Sequence, residues 1–290
     1  MRMSPKGRQF SLRSLFSHWL PARRPSVQIN VEKIQLDSAN LGRSVIIDIY
    51  PPPLSPGNDP IALLLLNDGQ DLERMGFRET LEMRYAEGAL RPLLAVGIHA
   101  NEQRMREYGV VAHPDYKGRG DLAGAYERFI LNELLPWLYA HYPISVHPHE
   151  LYFAGFSLGG LSAFDLVWRN PRIFGGVGVF SGSLWWRARP FNPQDPDADR
   201  IAHHQVAAAH DVHPHLRFWF QAGTEDETSD RNNNGVIDAI DDTLDLIRQL
   251  ETHGYRRGLN LTYVEVAGGR HEPATWGKVM SVFLKWAFRS

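Results

Sequence analysis

Four unbroken apolar runs govern what this chain can fold into, IALLLLND (61–68), PLLAVGIHA (92–100), ELYFAGF (150–156) and FGGVGVFSG (174–182), and LRFWFQAG (216–223) and LTYVEVAGG (261–269) add two more. A strand that is apolar at every position is buried on both faces. That is the situation in a parallel sheet covered by helices on each side. Helical patterns fill the intervals. From Leu122 to Tyr142, Ala123, Tyr126, Ile130, Leu134, Leu135 and Leu138 recur at the 3–4 spacing of one helical face, and 158–168, 243–253 and 274–288 behave alike. Ahead of them, SVQINVEKIQLDS and RSVIIDIYPP alternate well enough for two strands that turn near Leu41-Gly42. Pro51-Pro52-Pro53 stops the second. The expectation is a three-layer α/β/α sandwich with a mostly parallel central sheet and an antiparallel N-terminal start.

At 290 residues the chain can bury a full core without staples, and neither a repeat nor a long linker divides it. One domain over 26–290 is expected. Residues 1–25 are basic, with no acidic residue before Glu32, and read as a flexible arm. The arm lacks the apolar core of a secretory signal, and no stretch approaches the ~18 apolar residues of a membrane span, so a cytoplasmic address is the default expectation. The 31 Lys+Arg against 33 Asp+Glu argue against a nucleic-acid binder that works through a basic field. The absence of cysteine excludes a disulfide scaffold, thiol catalysis and cysteine-bound zinc.

The sharpest chemical feature is Gly155-Phe156-Ser157-Leu158-Gly159, directly after one apolar run and directly before a helix. Such a pentamer arises by chance about 0.1 times in a chain of this composition, so its place matters more than its letters. A serine on a sharp strand-to-helix turn is lifted above the sheet edge, and the helix N-terminus behind it favours a developing negative charge. The hydroxyl still needs a base, and the base needs an orienting acid. In chain order, AGTEDE (222–227) offers Glu225, Asp226 and Glu227 at the end of one strand, with Asp226 favoured. GGRHEPATW (268–276) offers His271 after the last strand. Both loops leave the sheet at the edge where open α/β sheets build sites. The pairs His147/His149, His203/His204 and His213/His215 lack a third ligand and read as loop residues. Two oxyanion donors are expected, the N–H of Leu158 and that of Gln70 or a neighbour in the turn Asn67-Asp68-Gly69-Gln70.

The stretches LLLNDGQD, VGIHANEQRMREYGV, GRGDLAGAYERFILNELLPWL, LYFAGFSLGGLSAF and SGSLWW together resemble the esterase family of α/β-hydrolases. That family includes enterobactin esterases, S-formylglutathione hydrolases, feruloyl esterases and mycolyl transferases. The resemblance runs from about residue 43 to 286. It implies an α/β-hydrolase fold and a serine carboxylic-ester hydrolase that works through an acyl-enzyme. Ser157 would be the nucleophile, His271 the base, Asp226 the acid in a G-T-x-D pattern, and Leu158 with Gln70 the oxyanion hole. Two departures stand out: His99 occupies a place where relatives often carry Asp, and the histidine loop reads GGRHEP rather than Gly-Gly-His-Asp-Trp. The partner expected is a small-molecule ester, with no nucleic acid and no membrane span. An acyltransferase to an alcohol acceptor is the nearest rival. A calcium-dependent binding protein on an inactive hydrolase scaffold is the rival from another class.

An insertion, DRNNNGVIDAID (230–241), follows the acid loop with the spacing of an EF-hand loop. Asp230, Asn232, Asn234, the Val236 carbonyl and Asp241 would be ligands, with Asp238 acting through water and Gly235 at the sharp turn. Asp at the last position reaches less far than Glu. Residues 225–245 carry eight acids against one base, Arg231, so a cation or nearby bases must offset the repulsion. A structural calcium ion is expected there. Trp185 and Trp186 are candidates to wall the substrate pocket, and Arg104 with Glu107 are expected to form a scaffold ion pair.

Overall fold

Every apolar run becomes a strand. The computed structural model describes residues 27–53, 59–111 and 113–290, and the arm expected over residues 1–25 lies outside them. Strands β1 (Glu32–Ser38) and β2 (Arg43–Tyr50) pair antiparallel, as the alternating start implies. β2 then lies antiparallel to β4 (Leu93–Ile98). From there the sheet is parallel through β3 (Ala62–Asn67), β5 (Leu151–Phe156), β6 (Gly176–Phe180), β7 (Arg217–Glu225) and β8 (Leu261–Arg270). The order across the sheet is β1-β2-β4-β3-β5-β6-β7-β8.

The two faces of the inner strands feed two separate cores, which is why their sequences do not alternate. Leu63 and Leu65 of β3 point into one core with Tyr126, Phe129, Phe164 and Leu246. Ala62, Leu64 and Leu66 point into the other with Phe77, Trp276, Phe283 and Leu284. The first core is roofed by α3 (Ala123–Phe129), α4 (Leu135–His141), α5 (Leu158–Arg169) and α7 (Asp238–Thr252). The second is roofed by α1 (Phe77–Ala86) and α8 (Pro273–Phe288). The chain therefore forms the three-layer sandwich of the α/β-hydrolase fold. The helix expected over 122–142 is present as α3 and α4, joined by a wider π turn at Ile130–Leu134.

Two short helices complete the frame: α2 (Arg104–Glu107) after β4 and α6 (Ile201–Ala207) before β7. Among the described residues no helix is long and apolar enough to cross a membrane. All six parallel strands end at one edge of the sheet, and the loops that leave that edge bring Asp68, Ser157, Ser181 and Asp226 together.

Candidate active site

Ser157 sits between β5 and α5 with φ 55 and ψ −123, a conformation that L-residues avoid. Its neighbours make the turn possible. A Cβ on Gly155 would lie 2.2 Å from the Gly159 carbonyl oxygen, and one on Gly159 would lie 2.5 Å from Asp68 Oδ2. Only hydrogen fits at either place. The Ser157 N–H donates to the Phe180 carbonyl at 2.9 Å, and its carbonyl accepts the Ser183 N–H at 3.0 Å, which pins the elbow to the end of β6. Behind it, α5 is buried from Leu158 through Trp168, so the strained turn is clamped by core packing.

Ser157, Asp226 and His271 line one cleft of about 230 Å³, together with Ser181, Gly182, Ser183, Trp185, Glu227 and Ala239. His271 packs edge-on against Trp276 of α8, with ring centroids 5.3 Å apart. Trp276 in turn donates to Ser181 Oγ at 3.0 Å and stacks on Phe156. Burial lowers the His271 pKa from its ordinary value; Asp226 opposes that shift and Arg104 adds to it. The imidazole is thus biased towards the neutral form that a general base needs.

Of the three candidate acids, geometry separates Asp226 from the others. Its Oδ2 accepts the Gly223 N–H at 2.9 Å, while Oδ1 is buried with no partner among the described residues. Glu225 is turned outward to Arg270 at 3.0 Å and is half exposed. Glu227 lines the cleft, and burial followed by Asp238 raises its pKa.

Leu158 is the first residue of α5 and Gln70 the second of a short 3₁₀ turn (Gly69–Asp71), positions at which backbone N–H groups have no helical acceptor. The turn carrying Gln70 is held against the elbow. Asn67 Nδ2 donates to the Gly159 carbonyl at 2.8 Å, and Gln70 Oε1 accepts the Ala100 N–H at 3.0 Å. The expected pairing of Arg104 with Glu107 is not what forms. The two residues leave the single turn of α2 in different directions, Arg104 to Asp68 at 2.6 Å and Glu107 to Arg43 at 2.7 Å. His99 bonds Asp48 of β2 at 2.7 Å.

Trp185 and Trp186 separate in the same way. Arg119 lies over both rings, but Trp185 is 38% exposed and lines the cleft, whereas Trp186 is fully buried. Only Trp185 can present a face to a substrate. His203 is likewise no loop residue: it is buried in α6, with Nε2 bonded to the Asp242 carbonyl at 2.8 Å.

In the 230–241 insertion, Asn232 and Asn234 both donate from Nδ2 to Asp241 Oδ2, at 3.1 and 2.8 Å. Asp230 accepts the N–H groups of Asn234 and Gly235. Asp238 is directed elsewhere, accepting the Arg231 N–H at 2.8 Å. The repulsion among the acids is offset in part from within. The Arg231 side chain is buried against Asp197 and Asp242, and Arg200 bridges Asp242 and Asp245. Among the described residues no group of three or more His, Asp or Glu side chains is gathered as for a metal ion.

Residues 38–286 match the family described as "Putative esterase". Among solved structures, an enterobactin esterase from Shigella flexneri superposes with a TM-score of 0.69 at 22% identity, over 90% of this chain and 61% of that one. An IroE-like serine hydrolase from Shewanella oneidensis gives 0.67 at 18% identity, over 89% and 80%. These likenesses speak to the fold. The protein YbbA of Bacillus subtilis, whose name carries no activity, is 27% identical over 140 residues, 47% of this chain and 55% of YbbA. The chain thus spans only 55% of YbbA and 61% of the Shigella esterase.

Proposed function

The chain belongs to the esterase family matched over residues 38–286, and on that premise we propose that it is a serine carboxylic-ester hydrolase acting on a small-molecule ester. The observation that carries this reading is the strained Ser157 elbow opening into the cleft that His271 and Asp226 also line. Ser157 Oγ attacks the ester carbonyl carbon while His271 takes its proton. The tetrahedral oxyanion is held by the Leu158 and Gln70 amides, assisted by the N-terminus of α5. His271 then gives the proton to the leaving alcohol as the carbonyl–oxygen bond breaks. Water repeats the sequence on the acyl-enzyme, and Asp226, whose buried Oδ1 has no partner among the described residues, is the carboxylate free to accept from the imidazole and orient it.

Calcium in the 230–241 loop is part of the proposal. The EF-hand spacing of Asp230, Asn232, Asn234, Val236 and Asp241 supports it, as does the gathering of the Asn232 and Asn234 side chains at Asp241. A cytoplasmic address also belongs to the proposal, and fractionation of cells expressing the full chain tests it.

The activity is tested with 4-nitrophenyl esters of increasing chain length, alongside a catecholate siderophore ester and a feruloyl ester. Hydrolysis that disappears in Ser157→Ala is expected. Activity that survives the substitution in protein free of other esterases would assign the nucleophile elsewhere.

A further inference from the structure

The oxyanion hole of the proposed esterase is split between two pieces of chain, and one side chain joins them. Gln70 lies on the turn after β3, whereas Leu158 lies on the elbow after β5. A single nitrogen of Arg104 spans both, with Nη2 2.8 Å from Asp68 Oδ2 and 3.3 Å from the Phe156 carbonyl, the residue before Ser157. Nε completes a two-pronged grip on Asp68 at 2.6 Å. Asp68 itself has a left-handed backbone (φ 60, ψ 45), its N–H donates to Tyr108 Oη at 3.2 Å, and Arg104 lies over the Tyr108 ring. The Asp68 carboxylate is buried, and it stands against the first turn of α5, where a Cβ on Gly159 would meet it.

That carboxylate creates an electrostatic problem. A buried negative charge beside the N-terminus of α5 competes with the oxyanion for the same helix end and repels the charge that develops on the substrate. Arg104 is the cation that neutralises it. We propose that Arg104 is a positioning residue of the oxyanion hole: it fixes the Asn67–Gln70 turn against the elbow and cancels the Asp68 charge beside the developing oxyanion. The inference rests on the ester-hydrolase reading and adds to it a residue that need not touch the substrate.

The test is a double-mutant cycle of Arg104→Ala and Asp68→Asn, with kcat and KM measured separately on one 4-nitrophenyl ester. Arg104→Ala leaves Asp68 uncompensated. Its kcat is expected to fall about 100-fold, the scale of one lost oxyanion donor, with KM within about threefold of wild type. Adding Asp68→Asn removes the offending charge and should recover kcat about tenfold over Arg104→Ala alone, a gain that simple loss of structure would not give. The pH profile supplies a second readout. The charges of Asp226 and Arg104 act in opposite directions on His271, whose ring packs against Trp276, so removing Arg104 should move the acid limb of kcat/KM to higher pH.

If Arg104→Ala does not fold, Arg104→Lys keeps the charge and loses the fork, and its kcat should drop at least tenfold at unchanged KM. An unchanged kcat in a folded Arg104 variant, or a double variant no better than Arg104→Ala, overturns the proposal while leaving Ser157 as nucleophile. A wild type that hydrolyses no ester, equal to Ser157→Ala, overturns the hydrolase reading and this inference with it.

Discussion

Replacing Ser157 by glycine and, separately, by alanine isolates the strain stored at the elbow. Both changes remove the hydroxyl, and only glycine removes the Cβ that makes φ 55, ψ −123 costly. A non-glycine residue held in such a region costs about 1–3 kcal/mol. Glycine returns roughly 0.5–1 kcal/mol of that through the extra freedom of its unfolded chain. The difference leaves Ser157→Gly about 1 kcal/mol more stable than Ser157→Ala, worth about 2 °C in the thermal midpoint of a chain this long. Calorimetry of the two inactive proteins under one buffer and scan rate measures it. A glycine variant that melts with or below the alanine variant would refute the claim that packing around α5 forces the serine into strain.

The remaining predictions concern the base, the acid and the loop. Because the proposed base is neutral His271 and burial lowers its pKa, activity should persist as pH falls below the ordinary imidazole value of about 6.5. An acid limb of kcat/KM centred above that value would contradict the burial argument. His271→Ala should be as damaging as Ser157→Ala, whereas Asp226→Asn should be milder, because the orienting acid contributes through the imidazole. A silent Asp226→Asn beside a dead Glu227→Gln would move the acid to Glu227, which lines the same cleft. EGTA should lower the melting temperature and partly reduce turnover. Calcium at 100 times its dissociation constant should restore about 2.7 kcal/mol, and magnesium much less. No response to EGTA in either measurement would leave 230–241 as a self-bonded acidic turn.

The strands and the serine elbow were legible because both are local. A run that is apolar at every position has one consistent fate in a layered α/β protein, and the glycines of the pentamer match a turn in which no Cβ fits. Helix α1 was not legible: of its ten residues only Phe77 and Leu81 are buried, too few to set a helical period. Helix α6 was hidden by its two histidines, one of them buried. What sequence could not supply was pairing across distance. Arg104 meets Asp68 from 36 residues away, and Arg231 meets Asp197 from 34. Counting eight acids and one base between 225 and 245 therefore overstated the need for a cation, since Arg200 enters that balance from outside the window. The tryptophan pair divides for a similar reason: neighbours in sequence, one fills the core and the other faces the cleft.

The most direct test of the central claim is covalent capture of the nucleophile. An organophosphate with a 4-nitrophenolate leaving group forms a phosphorus–oxygen bond to an activated serine and expels nitrophenolate, so intact mass and peptide mapping locate the attacking atom. One adduct per chain is predicted, on the peptide carrying Ser157, absent from Ser157→Ala and formed far more slowly in His271→Ala. Label on another residue, or ester hydrolysis that continues while Ser157 stays unlabelled under excess reagent, would contradict it.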